Sequence, residues 1–137
     1  MLWQVENRYS RHLVLGSGSA LSALRGAGHV LQAGGMVSFR GVDNSAAPEI
    51  LPVLGRRMKI ALGAPRNAFR YNAALFAVHC RPDGPGARRL TFTPLGQDPG
   101  CSVESVTQEF RQLCERAFSE SPELWPVRHR QFLTAPG

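Results

Sequence analysis

The strongest structural signal in the sequence is a helical repeat of apolar residues that follows Ser102. A serine hydroxyl can accept a hydrogen bond from a backbone N–H of the first turn, and Glu104 suits the positive end of the helix dipole. Residues three and four apart share one face of a helix, so the repeat predicts an amphipathic helix with one core-facing side. That side comprises Val103, Val106, Phe110, Leu113, Ala117 and Phe118.

A second helix is predicted between two serines and a pair of glycines nearer the N-terminus. Ser17 and Ser19 offer N-cap hydroxyls, and Gly34 with Gly35 ends the helix, because glycine adopts the left-handed terminal conformation without penalty. Its apolar side combines Leu21, Leu24, Gly28 and Leu31. The apolar run 36–39 is too short for a helix and is expected to be a strand. This order of helix and strand is typical of a parallel sheet with crossover helices.

Two apolar runs, residues 50–55 and 58–62, flank an expected turn at residues 55–57. Pro65 then stands where a helix tolerates proline, in the first turn, and predicts a short helix over residues 66–72. Its packing side chains are expected to be Ala68, Phe69 and Tyr71.

Residues 74–80 are the best strand candidate in the chain. The turn-forming residues 81–86 and the alternating segment 89–95 follow, so the three segments predict a β-hairpin. Helices and strands together indicate an α/β fold, a small mixed sheet with flanking helices. A length of 137 residues suits a single domain over residues 1–137, in which residues 1–16 carry only a weak strand pattern.

The charge balance favours anionic partners. Lys and Arg number 16 against 10 Asp and Glu, a net charge of +6. Nucleic acid, phosphorylated headgroups and acidic carrier proteins all suit such a chain, although many basic proteins have no specific anionic partner. The N-terminus lacks the pattern of a signal peptide, and no apolar stretch approaches the roughly 20 residues of a membrane-spanning helix. We therefore expect a cytoplasmic location.

Residues with catalytic or metal-binding chemistry are present but poorly arranged. His79 and Asp83 are expected on a strand and in a turn, where their side chains have no reason to meet. The serines Ser17 and Ser19 match neither a nucleophile elbow nor a Walker loop. Three cysteines without a CxxC spacing predict neither a disulfide framework nor a zinc site. We expect no catalytic residue, no metal and no cofactor.

The candidate anion-binding or phosphate-binding residues are Arg56, Arg57, Arg66 and Arg70. Arg66 and Arg70 are four apart, so a helix places them on one face. A guanidinium group binds phosphate through two parallel hydrogen bonds. A solvated helix face remains the alternative interpretation. Aromatic residues do not alternate with these arginines in the sequence, so single-stranded nucleic acid has little specific support.

Several blocks of sequence occur in a consistent order between about residues 17 and 133. Among them are Leu-Pro-Val-Leu-Gly-Arg at residues 51–56, Ala-Pro-Arg-Asn-Ala-Phe-Arg at residues 64–70, and Pro-Glu-Leu-Trp-Pro-Val-Arg-His-Arg-Gln-Phe at residues 122–132. Residues 21–25 and 34–39 form a further block. Together they resemble the C-terminal half of the bacterial lipid A biosynthesis (lauroyl/myristoyl) acyltransferases, relatives of the glycerolipid acyltransferases.

The resemblance implies an acyltransferase-like domain without its own catalysis. In that family a His-x-x-x-x-Asp/Glu motif upstream of this region supplies the base that activates the acceptor hydroxyl. No histidine of this chain has an acidic residue five positions on. We expect a truncated or degenerate domain that retains a surface for an anionic lipid headgroup or an acyl-carrier protein, peripheral to the inner membrane.

Two other functions stay open. A partner chain that carries the missing histidine motif would complete an enzyme, and a basic binding module for nucleic acid or protein would share only the fold. An incomplete α/β domain should also expose a sheet edge or an apolar surface. We therefore expect a homodimer that buries this surface.

Overall fold

A computed structural model of the chain describes residues 20–39, 49–122 and 133–134. The chain divides into two compact units, Met1–Phe39 and Arg40–Gly137. The single domain expected over the whole chain remains a prediction. The weak strand pattern of residues 1–16, the serines Ser17 and Ser19, and most of the closing block at residues 122–132 lie outside the described residues.

In the first unit, the predicted helix is confirmed as α1 (Ala20–Gln32). Its glycine stop is confirmed as well, because Gly34 adopts a left-handed φ of 76°. The strand predicted at residues 36–39 is wrong: these residues form no strand, and Met36 is 87% exposed. A strand needs a hydrogen-bonded neighbour, and a run of apolar residues does not by itself specify one.

The second unit holds two antiparallel sheets and two helices among its described residues. In chain order they are β1 (Glu49–Val53), β2 (Arg56–Ile60), α2 (Gly63–Tyr71), β3 (Leu75–Pro82), β4 (Arg88–Leu95), α3 (Val103–Glu120) and β5 (Leu133–Thr134). One sheet has the strand order β1-β2-β5, and the other pairs β3 with β4. The mixed α/β class is therefore confirmed.

The parallel sheet with crossover helices is wrong for the described strands, which all pair antiparallel. A two-residue turn joins β1 to β2, and so short a connection can only join antiparallel strands. The turn residues are Leu54 and Gly55, with φ of 48° and 72°. Two positive φ values are typical of a type I′ turn. Arg56 and Arg57 therefore belong to β2, not to the turn expected at residues 55–57.

The core lies between the β1–β2 hairpin and α3. Strand alternation turns one face of the hairpin inwards, and α3 covers it with Cys114, Phe118 and the partly buried Phe110. Full burial of a valine, leucine, isoleucine, phenylalanine or methionine side chain stabilises the fold by about 1.5–3 kcal/mol. The hairpin contributes Leu51, Val53, Met58 and Ile60, each at most 8% exposed.

Helix α3 begins as the sequence predicts. The Ser102 hydroxyl accepts a hydrogen bond from the Ser105 N–H at 3.2 Å, and the Ser105 hydroxyl accepts one from the Ser102 N–H at 2.8 Å. On its apolar side Val106 and Phe118 are buried as expected. Cys114, which is not among the predicted residues of this side, is also buried, at 4% exposure.

The predicted β3–β4 hairpin is confirmed. Its register runs from Leu75 opposite Leu95 to Pro82 opposite Arg88. Helix α2 packs against β3 and α3, and α3 packs against β4, so one face of the hairpin meets the helices. Leu95 is the buried anchor of that face, at 6% exposure.

Candidate functional site

The first pair of candidate arginines stands at the tip of the β1–β2 hairpin. Arg56 and Arg57 are exposed and directly follow the turn. Leu54 is 54% exposed at the tip. A left-handed conformation costs a residue with a Cβ roughly 1–2 kcal/mol, so this turn holds a leucine where asparagine or glycine is usual. The tip thus presents one large apolar side chain and two arginines, which as successive strand residues point to opposite faces of the hairpin.

The tip is attached to α3 by a partly buried ion pair. Glu115 Oε1 accepts a hydrogen bond from the Leu54 N–H at 3.3 Å and lies 2.7 Å from Arg111 Nη1. Arg111 Nη1 also donates to the Pro52 carbonyl at 3.2 Å. Only 19% of the Arg111 side chain and 31% of the Glu115 side chain are exposed. The helix therefore holds the backbone of the hairpin tip in place.

The second pair of candidate arginines lies on α2. Arg66 and Arg70 are exposed on one face of this helix, as their spacing predicts. Phe69 lies on the same face and is 43% exposed. The prediction that Phe69 packs inwards is therefore wrong, whereas Ala68 is buried as expected. The guanidinium carbon of Arg70 lies 5.5 Å from the ring centroid of Tyr71, a cation–π distance.

Buried residues on the other side of α2 explain why Phe69 faces out. Pro65 and Ala68 lie three residues apart and share the inner face. Asn67 is also buried, and its Nδ2 donates to the Gly63 carbonyl at 2.7 Å, which satisfies the amide within the helix. With these side chains inside, a helical repeat of 3.6 residues turns Phe69 and Arg66 towards solvent.

The four arginines form two separate pairs. The pKa of Glu104 lies below its usual range because of a hydrogen bond from its own backbone N–H, then one from the Ser102 hydroxyl, and the charge of Arg66 contributes further. The charge of Arg66 therefore acts at the start of α3, whereas Glu115, nearer the end of the helix, contacts the turn that precedes Arg56 and Arg57. At 1.5 Å per residue these two points of α3 are about 16 Å apart.

The residues with catalytic potential are not assembled into a reactive group. Asp83 is held by Arg89 through hydrogen bonds of 3.0 to 3.1 Å, so its carboxylate pairs with a guanidinium as a turn residue rather than with His79. Within residues 20–39, 49–122 and 133–134, no three His, Cys, Asp or Glu side chains are grouped to hold a metal ion. None of the helices in these ranges is long and apolar enough to cross a membrane.

A shallow depression of about 370 Å³ lies beside the β1–β2 tip. Its lining residues are Leu54, Glu115, Arg116, Ser119 and Glu120. Two carboxylates face one guanidinium here, so the depression does not favour an anionic small molecule. Any anion bound at the tip would have to be held at the open surface by Arg56 and Arg57.

No protein-family model matches the chain, and neither a curated protein nor a solved structure matches it. The likeness to the lipid A acyltransferases therefore remains a prediction from the sequence blocks.

Proposed function

We propose that the protein is a non-catalytic, acyltransferase-like domain that binds anionic, phosphorylated lipid surfaces. One observation carries the proposal: each arginine pair stands beside an exposed large apolar side chain. Leu54 lies in the turn directly before Arg56 and Arg57, and Phe69 lies three residues after Arg66 on the exposed face of α2.

This combination favours a bilayer over other polyanions. Each arginine near an anionic leaflet contributes about 1 kcal/mol of attraction. Half-exposed side chains such as Leu54 and Phe69 add roughly 1 kcal/mol each when the lipid interface covers their remaining surface. The arginines would also attract nucleic acid, and a base could stack on Phe69. Leu54, however, has no aromatic ring on which a base could stack.

The test is co-sedimentation with vesicles. Vesicles that contain a phosphorylated lipid A precursor are compared with anionic vesicles of equal charge, at two salt concentrations. Removing two arginines that each contribute about 1 kcal/mol should weaken binding about 30-fold, so Arg66→Ala/Arg70→Ala is the test variant. The double variant Arg25→Ala/Arg81→Ala removes the same charge from exposed positions outside both arginine pairs and is the matched control.

Three outcomes distinguish the possible partners. Preferential binding to the precursor that depends on Arg66 and Arg70 supports a headgroup surface, and Phe69→Ser should then weaken it further. An equal loss in test and control variants would mean that only net charge matters, which contradicts the proposal. Failure to bind vesicles, together with DNA binding that falls steeply with salt, would favour a basic nucleic-acid module.

A further inference from the structure

The β3–β4 hairpin exposes an almost wholly apolar face. Side chains alternate between the two faces of a strand, and the register places the paired residues of both strands on the same face. We call this surface the outer hairpin face; it comprises Phe76, Val78, Cys80 and Pro82 of β3 and Arg88, Leu90, Phe92 and Pro94 of β4. Phe76, Val78, Leu90 and Phe92 are each 51% to 58% exposed.

The outer hairpin face has the apolar composition of a buried surface, whereas a solvent-exposed face of a sheet is usually polar. The opposite face, with Leu95 buried and Leu75 and Ala77 half-buried, already packs towards α2 and α3. A sheet with one face on the core normally presents polar residues on the other. A run such as Leu75-Phe76-Ala77-Val78 is instead typical of a strand that is covered on both sides. The composition of the outer hairpin face therefore indicates that another surface packs against it.

We propose that a second copy of this chain covers the outer hairpin face, so that two hairpins pack face to face about a two-fold axis. A phenylalanine exposes about 150–250 Å² when free, so the four half-exposed large side chains offer roughly 400 Å². Exposed Cys80, Pro82 and Pro94 raise the area to about 600 Å² per copy. Two copies then bury about 1,200 Å², the lower limit for a stable specific interface.

The distribution of charge favours a second copy over a bilayer. The outer hairpin face carries a single charge, Arg88, at its turn end. Arg81 and Arg89 are paired with each other in the register and point to the opposite face, where Asp83 holds Arg89. An antiparallel two-fold arrangement would keep the two Arg88 side chains at opposite ends of the interface. An isologous contact of this kind closes as a dimer and does not propagate.

Analytical ultracentrifugation of the full chain over a range of concentrations tests the dimer. Val78→Lys places a charge at the centre of the proposed contact, on a side chain that is 57% exposed in one copy. We expect Val78→Lys to raise the dissociation constant of the dimer about 100-fold or more, because an unpaired charge would be buried. Thr91→Lys is the matched control, since Thr91 is exposed on the opposite face of the same hairpin; it should leave the dimer intact.

Cross-linking gives an independent measurement. Cys80 is exposed and lies on the outer hairpin face, whereas Cys114 is buried. A short bis-maleimide should join two copies of the native protein, and Cys80→Ser should abolish the product. A monomer at high concentration, or a dimer that Val78→Lys leaves intact, would overturn the proposal. A monomer whose Cys80 does not react would instead indicate that another part of the same chain covers the face.

Dimerisation through the outer hairpin face does not depend on lipid binding. The proposed lipid-binding residues are Arg56, Arg57, Arg66 and Arg70, none of which lies on the outer hairpin face. A dimer that binds no vesicle would refute the proposed function alone, and a monomer that binds vesicles through Arg66 and Arg70 would refute the dimer alone.

Discussion

The attachment of the β1–β2 tip to α3 leads to a quantitative prediction. Glu115 makes two interactions at once, the hydrogen bond from the Leu54 N–H and the ion pair with Arg111. A hydrogen bond to a charged group contributes about 1.5–3 kcal/mol when it is shielded from water, and a surface ion pair contributes up to about 1 kcal/mol. Because 31% of the Glu115 side chain is exposed, values near the lower limits apply. We expect Glu115→Ala to destabilise the fold by about 2 kcal/mol.

Chemical unfolding followed by circular dichroism measures this loss. In thermal unfolding of the second unit, Arg40–Gly137, a change of 1 kcal/mol shifts Tm by about 4–8 °C, so a shift of roughly 10 °C is expected. Glu115→Gln is the informative companion, since its amide oxygen still accepts from Leu54 while the charge is gone. It should cost about half as much as Glu115→Ala.

A double-mutant cycle separates the ion pair from the hydrogen bond. Arg111→Ala and Glu115→Ala, alone and combined, should show a coupling energy of about 0.5 kcal/mol, because the residues are in direct contact. Additive losses would refute the ion pair as a stabilising contact. If Glu115→Ala costs less than about 0.5 kcal/mol, the typical limit for an unremarkable surface change, the tip is not held by this residue.

Two further predictions follow from the structure. Gly96→Ala should lower the free energy of unfolding by about 2 kcal/mol or more, because φ is 66° and the added Cβ would lie 2.8 Å from Val106 Cγ2. Gly100→Ala is the control, because φ is 79° but no atom lies within 4 Å of the added Cβ. In the same unfolding assay it should lower the free energy of unfolding by only about 1 kcal/mol. Burial, and secondarily the charge of Glu115, raises the pKa of Cys114 to about 12. The unfolded thiol ionises near pH 8.5, so its contribution to stability is complete below that pH and falls by about 1.4 kcal/mol per pH unit towards 12. Cys114→Ala should lose this slope, and an unchanged slope in the variant would contradict the assignment.

Local signals in the sequence were sufficient for most of the elements. Ser102 and the apolar repeat after it define α3 because a cap and a helical face depend on residues only a few positions apart. The β3–β4 hairpin is similarly specified by a turn between two apolar runs. The spacing of Arg66 and Arg70 correctly placed both on one exposed helix face.

Contacts between residues that are far apart in the sequence could not be predicted from such local signals. The run 36–39 looks like a strand, but strand formation depends on a neighbour elsewhere in the chain. The direction in which Phe69 points depends on how α2 packs against β3 and α3, which leaves its ring partly exposed. The Leu54–Gly55 turn contains no asparagine or aspartate before its glycine, so the usual hairpin signal is incomplete.

Helix α3 also determines how the two surfaces can influence each other. Among the described strands no pairing joins the β1-β2-β5 sheet to the β3–β4 hairpin. Each is hydrogen-bonded to α3 at a loop, through Glu115 to Leu54 and through Glu109 Oε2 to the Gly96 N–H at 3.0 Å. The proposed lipid contact at the tip and the proposed dimer contact through the outer hairpin face would thus be connected by one helix. Any cooperativity between them would have to take the form of a displacement of α3, and a helix that stays in place would leave the two binding equilibria independent.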